Sequence, residues 1–191
     1  LLDEYIKKSK NKYYFSFLPS YTGVKIRIKK NKNISSDSLV RYSKKIFTIL
    51  QPYSYGYDEE GFNHFIVKKL SLEGRTLSVA ESCTSGLLGK FITDVPGSSK
   101  IFLGGVIAYS NIAKKKLLGI NDDLIKEHGA VSRQVVKEMA SNIMDINQSD
   151  LSIAISGISG PNGGTENKPV GLVYIACKFH SSMVVKKYFL K

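Results

Sequence analysis

Arginine, histidine, cysteine and long apolar runs are all scarce in this sequence, and each scarcity removes a class of function. Only four of the 28 basic residues are arginine: Arg27, Arg41, Arg75 and Arg133. The net charge of +12 therefore rests on lysines spread among many asparagines, which describes a solvated basic surface better than the clustered footprint that displaces counterions from nucleic acid. No apolar run reaches the roughly 18 residues of a membrane span, and no basic-then-apolar leader opens the chain. The two cysteines, Cys83 and Cys177, lie far apart without metal or redox spacing, as in a protein with reduced thiols in a cytosol, so a cytoplasmic location is expected. The three histidines, His64, His128 and His180, stand outside the Gly-rich and Ser-rich stretches. They make neither a zinc cluster nor a histidine base, and no metal or cofactor is expected. The nearest approach to a G-x-S-x-G elbow, Gly157-Ile158-Ser159-Gly160, runs on into Pro161. A nucleophile in such a chain needs another base, and a desolvated lysine can serve.

The 191 residues suggest one domain, or one domain plus an appendage. The first residue is Leu, so a piece of a longer chain is expected. Val24, Ile26 and Ile28 alternate with Lys25, Arg27 and Lys29, a half-buried strand, and "SSDSLVRYSKKIFTILQ" offers Ser and Asp caps before Leu39, Val40, Ile46, Ile49 and Leu50 at helical spacing. This small α+β unit, residues 1–57, ends in a linker expected over Pro52 to Gly61.

From residue 58 the rhythm becomes α/β. A helix is expected around Asn63 to Leu72, a strand over Thr76 to Ala80, a helix from about Thr84 to Ile92, a strand over Ile101 to Ser110 and a short helix over Asn111 to Leu118. Ser132 can cap a helix whose Val135, Met139, Ile143 and Ile146 form one apolar stripe. Strands follow at Leu151 to Ser156, Gly171 to Cys177 and Ser182 to Phe189. Such alternation implies a sheet layered between helices. The polar break Glu81-Ser82-Cys83-Thr84-Ser85 falls where a strand hands over to a helix, the place where such folds present side chains and free N–H groups to a ligand. The long loop Gly157 to Gly171, with Gly160, Gly163, Gly164 and Lys168, reads either as a ligand loop or as a plain connection.

Five segments, "AESCTSG", "TDVPGSS", "GGVIAYSNIAKKKLLGI", "HGAVS" and "SGISGPNGGTENKPVG", stand in the order and spacing seen in the CinA C-terminal family, the nicotinamide-nucleotide amidohydrolases also called PncC. Over about Glu59 to Cys177 the chain resembles that family, and the segment before it resembles the KH-like middle domain of full-length CinA. The resemblance implies a three-layer α/β/α sandwich over residues 58–191. It also implies hydrolysis of the carboxamide of nicotinamide mononucleotide, or a related pyridine nucleotide, to the acid and ammonia, with neither metal nor cofactor. Residue by residue, it makes Ser82 the nucleophile, joined by Lys114, Tyr109 and Ser99. Cys83 and Thr84 would offer N–H groups to an oxyanion, and Glu81 would meet a ribose hydroxyl or orient the turn. Phosphate would fall to the Gly97-Ser98-Ser99 turn and to the loop holding Gly157, Gly160, Gly163, Gly164, Thr165 and Lys168, with Asn111 also on the substrate side. The sequence departs from the family at Ser85, where a glycine is usual. It also stops at "VVKKYFLK", short of the family's closing helix, so reliance on a partner copy in a homo-oligomer is expected, and the pyrophosphatase chemistry of the family's N-terminal domain is not.

Two other classes compete. A nucleic-acid module would suit the basic first unit, but residues 1–57 lack the G-x-x-G loop with which a KH fold clamps a backbone. A non-catalytic assembly domain would have had no need to keep Ser82, Ser99, Tyr109 and Lys114 together.

Overall fold

The alternation from Tyr13 to Lys30 closes on itself as a hairpin. Strand β1 (Tyr13–Ser20) pairs antiparallel with β2 (Gly23–Lys30), Tyr13 opposite Lys30 and Ser20 opposite Gly23. This computed structural model describes residues 2–51, 53–56 and 60–190, and it divides into two compact units, the first ending at Phe65 and the second beginning at Ile66. Residues 52 and 57–59 of the expected linker, and with them the expected boundary at 57/58, lie outside the described residues. In the first unit, helices α1 (Asp3–Lys8) and α2 (Ser36–Leu50) pack against the hairpin. The Ser35 hydroxyl caps α2 by accepting from the Ser38 N–H, and Tyr42 stacks on Tyr13 with ring centroids 4.1 Å apart. Of the apolar positions expected to face inward on α2, only Ile46 is buried, and Val40 and Val24 stand in solvent. So small a unit has too little interior to bury them all.

The second unit runs α3 (Phe62–Leu72), inside which the division falls, β3 (Leu77–Glu81), α4 (Leu87–Thr93), a single 3-10 turn (Ser98–Lys100), β4 (Phe102–Ile107) and α5 (Asn111–Leu118). It continues with α6 (Asp122–His128), α7 (Arg133–Asn147), β5 (Leu151–Gly157), β6 (Leu172–Phe179) and β7 (Ser182–Phe189). The strands form one sheet in the order β4-β3-β5-β6-β7, with β4, β3 and β5 parallel and β6 and β7 antiparallel. Its two faces carry separate cores. Leu77, Val79, Leu151 and Ile153 pack with Val67 and Leu70 of α3 and Ile92 of α4, whereas Ala80, Ala154 and Ala176 pack with Leu118 of α5, Ile125 of α6 and the apolar stripe of α7. The fold is thus the expected three-layer sandwich. Small residues beneath α7 let it lie close to the sheet: the Ser152 hydroxyl donates to the Ala140 carbonyl at 2.6 Å.

Three elements differ from the sequence reading. Helix α4 begins at Leu87 rather than near Thr84, because Ser85 and Gly86 are left-handed, with φ of +50° and +95°, and a right-handed helix cannot run through them. Helix α6 was not foreseen, although Asn121 caps it and Asp122 and Asp123 fill its first turn, a plain start signal. Ile146, the last position of the α7 stripe, is exposed, while Val135, Met139 and Ile143 are buried.

At the amino end of β3 and β5 the Asp150 carboxylate accepts from the Thr76 N–H at 2.8 Å, the Thr76 hydroxyl at 2.9 Å and the Arg75 guanidinium at 3.3 Å. The Thr76 N–H first, then its hydroxyl and Arg75, hold the carboxyl below its ordinary pKa. A depressed carboxyl stabilises the fold above its ordinary range and loses that contribution as pH falls through the folded value. Asp150→Ala is expected to cost about 1–3 kcal/mol near neutrality, where the stranded Thr76 donors lose their partner. Melting curves at pH 7 and in mild acid check this: the gap between wild type and variant should narrow as the pH falls.

Candidate active site

Strand β3 sends its following helix, α4, to one face of the sheet, and its neighbour β4 sends α5 to the other. A crevice opens between the carboxyl ends of two such strands, because their loops part there. Ser82 is the first residue past β3 and keeps the ladder for one more step, its N–H donating to the Ile155 carbonyl at 3.0 Å. Across the crevice β4 closes with the Ala108 N–H donating to the Glu81 carbonyl at 2.7 Å, the chain turns, and the Ser110 hydroxyl caps α5 by accepting from the Ala113 N–H.

On α5, Lys114 and Leu118 are four residues apart and share the inward face. Lys114 is 2% exposed, and its Nζ lies 2.9 Å from Ser82 Oγ, 2.9 Å from the Ala108 carbonyl oxygen and 3.3 Å from that of Tyr109. Burial pushes its pKa down. Its three N–H donors face three acceptors, Ser82 Oγ and the two carbonyl oxygens, and on losing a proton its lone pair could accept from the Ser82 hydroxyl instead. An amine this close to a hydroxyl is placed where it could exchange a proton with it. Lys115, by contrast, pairs with Asp122 at 2.8 Å, and Lys116 is exposed.

The turn after Ser82 is held by Glu81. Its carboxylate, 1% exposed, accepts from the N–H groups of Gly86 and Leu88, both at 3.1 Å, and of Gly89 at 2.8 Å. Of its two expected roles the structure gives Glu81 the second, orienting the turn, since no face of it is open to a ribose. The N–H groups of Cys83 and Thr84 take no backbone or side-chain oxygen among the described residues and face the Cys83 sulfur, whose pKa burial raises and these two donors lower. Thr84 Oγ1 is buried without a partner, and Gly157 backs this space so closely that a Cβ on it would sit 3.0 Å from Cys83 Sγ. In Glu81→Gln an amide N–H₂ must face backbone donors, so the variant is expected to lose about 1–3 kcal/mol and to melt several degrees lower. Thermal melts beside wild type read this directly.

Other expected site residues fall elsewhere. Tyr109 gives the site its carbonyl, while the residue is 68% exposed and its hydroxyl bonds neither Ser82 nor Lys114. Gly97, Ser98 and Ser99 lie at the other end of the sheet: they precede β4, and Ile101, two residues after Ser99, accepts from the N–H of Leu77, where β3 begins. The length of β3, about 17 Å, separates them from Ser82 within one chain. Gly160 and Gly164 are packed against Val170 of their own loop, whereas Gly163 is open. The Thr165 hydroxyl accepts from the Lys168 N–H to close a turn, and the Lys168 ammonium donates to the His128 carbonyl at the end of α6. Asn111 is exposed at the start of α5, on the crevice side. The one contributor that sequence reasoning missed is the Ala108 carbonyl, a backbone group that carries no side-chain signal.

A mixed five-stranded sheet between two helical layers, with a serine and a buried lysine brought together at the ends of two parallel strands, defines a three-layer α/β domain. Residues 59–191 match the model of the CinA C-terminal domain, and the chain belongs to the CinA family. A CinA-like protein of Thermotoga maritima is 40% identical over 170 residues, covering 87% of this chain and 41% of the relative, so the chain spans about two fifths of that relative's length. Among solved structures, the competence/damage inducible protein CihA of Agrobacterium tumefaciens superposes with a TM-score of 0.66 at 34% identity, covering 68% of this chain and 79% of that one. A CinA superfamily protein of Escherichia coli superposes with a TM-score of 0.67 at 25% identity, covering 74% and 86%.

Proposed function

We propose that the second unit hydrolyses the carboxamide of nicotinamide mononucleotide, or a closely related pyridine nucleotide, to the carboxylic acid and ammonia. The observation that carries this reading is the contact of 2.9 Å between the buried Lys114 amine and Ser82 Oγ. As Ser82 Oγ attacks the amide carbon, the neutral Lys114 takes the hydroxyl proton, and the N–H groups of Cys83 and Thr84 receive the developing oxyanion. Lys114 then returns the proton to the departing nitrogen, ammonia leaves, and an ester to Ser82 remains. Water enters, gives a proton to Lys114 and attacks the ester carbon; the acid leaves as Ser82 recovers its proton. Glu81 keeps the two N–H donors in place and carries no proton in this scheme. Tyr109 acts through its carbonyl on the Lys114 amine, and Ser99 stands outside the scheme in a single copy. The test is ammonia release from nicotinamide mononucleotide by the purified chain, with nicotinamide riboside and free nicotinamide alongside. Turnover of the nucleotide supports the reading, and release from none of the three overturns it.

A further inference from the structure

From Tyr5 to Ser36 the sequence holds no Asp or Glu, while nine Lys and Arg fall in that stretch. The hairpin sorts them by face. Tyr13, Phe15, Ile26 and Ile28 point toward the side where Tyr42 of α2 packs, and all four are half-buried. The opposite face carries Tyr14, Ser16 and Leu18 of β1 across from Lys29, Arg27 and Lys25 of β2, and every one of these six is exposed. Same-face neighbours along a strand repeat at about 6.7 Å, so the cations form a row beside the β1 side chains. Tyr14, 53% exposed, lies directly opposite Lys29 and diagonally from Arg27, which puts one aromatic face among cations on a rigid sheet.

We infer that this outer face of the β1–β2 hairpin binds single-stranded nucleic acid. Phosphates would lie along the Arg27–Lys29 row and a base would stack on Tyr14, the pairing of a basic track with an aromatic platform that holds single strands without reading sequence. The missing G-x-x-G loop removes a different device, a clamp on the backbone, and does not bear on a sheet face. The six residues of this face include no acid to repel a polyanion, and Tyr14 among the cations offers an unpaired base a ring to stack on. The site lies wholly in the first unit and is independent of the amidase reading.

Fluorescence anisotropy of labelled oligo(dT) and oligo(U) with the complete 191-residue chain tests it, over a series of salt concentrations. Binding is expected with a log–log salt slope that loses about 0.7 for each of Arg27→Gln and Lys29→Gln. Tyr14→Ala should weaken binding about tenfold at unchanged slope, as removal of a stacking ring does. Lys116→Gln and Lys137→Gln, in the second unit, should leave both quantities unchanged. Absence of binding at low salt overturns the inference. So does a duplex bound as tightly as the single strand, an equal effect from the second-unit lysines, or binding to anionic vesicles that outcompetes the oligonucleotides. Circular dichroism of each hairpin variant shows that loss of binding is not loss of fold.

Discussion

Lys114→Ala is expected to lower ammonia release from nicotinamide mononucleotide by at least about a hundredfold, the usual scale for losing a positioned general base. Lys115→Ala and Lys116→Ala should leave it within about twofold, because their side chains stand in solvent, where an ion pair contributes little. The three adjacent lysines differ only in which face of α5 they occupy, so equal effects from all three would remove Lys114 from the mechanism. The wild-type rate should rise with pH until Lys114 has lost its proton. Burial lowers that titration below the ordinary lysine range, and the variant's residual rate should lack this limb. The same burial has the opposite sign for stability. A lysine whose pKa falls on folding binds its proton more readily when unfolded, so it destabilises the fold at neutral pH, and the cost shrinks as pH rises toward the ordinary value. Lys114→Met, which keeps the aliphatic volume, should therefore melt higher than wild type while being inactive. A Lys114→Met protein that melts lower would mean that the three polar contacts of the amine outweigh its desolvation.

Ser82→Ala should abolish turnover and leave the fold intact. The Ser82 side chain makes one hydrogen bond, to Lys114, and its backbone N–H, which holds the turn on β5, is untouched by the substitution. Deleting one such hydroxyl costs about 1 kcal/mol of stability, whereas in the proposed reaction it removes the attacking atom, with Cys83 and Thr84 the neighbouring side chains that could replace it among the described residues. Ser82→Cys separates the two: a thiol at 82 keeps a nucleophile in the same place, and any activity it retains should be sensitive to alkylation in a way that wild type is not. Wild-type turnover in Ser82→Ala would transfer the nucleophile's role to Cys83 or to an activated water.

How much of this was legible in the sequence differs from residue to residue. The sandwich was readable because buried strands and amphipathic helices leave different periods, as in Leu77 to Ala80 and the Val135–Met139–Ile143 stripe. Ser82 was readable as a turn position for the same reason. Lys114 was not separable from its neighbours by pattern alone, since a triplet of lysines carries no sign of which one turns inward; Leu118 four residues later was the available clue. Gly97 to Ser99, expected to meet phosphate, are not brought to Ser82 within one chain: the segment is close to Ser82 in sequence, but in a parallel sheet a residue that precedes one strand and a residue that follows its neighbour sit at opposite ends. Ser85 has a φ of +50°, a conformation that serine adopts with strain and glycine without it, which fits the glycine that the resemblance leads one to expect there.

The bond between Ser82 and Lys114 spans 32 residues and joins groups delivered by two different strand ends. Neither β3 with α4 nor β4 with α5 holds both halves, so the pair exists only after the parallel alignment of Leu77 with Phe102 and of Glu81 with Ile107 has formed. A pairing of that separation forms only at the entropic cost of ordering the chain between its strands. A nascent or partly unfolded chain therefore carries an ordinary serine and an ordinary charged lysine, chemically silent toward the amides around it. On refolding from denaturant, turnover of the nucleotide should not return before the β3–β4 alignment has formed.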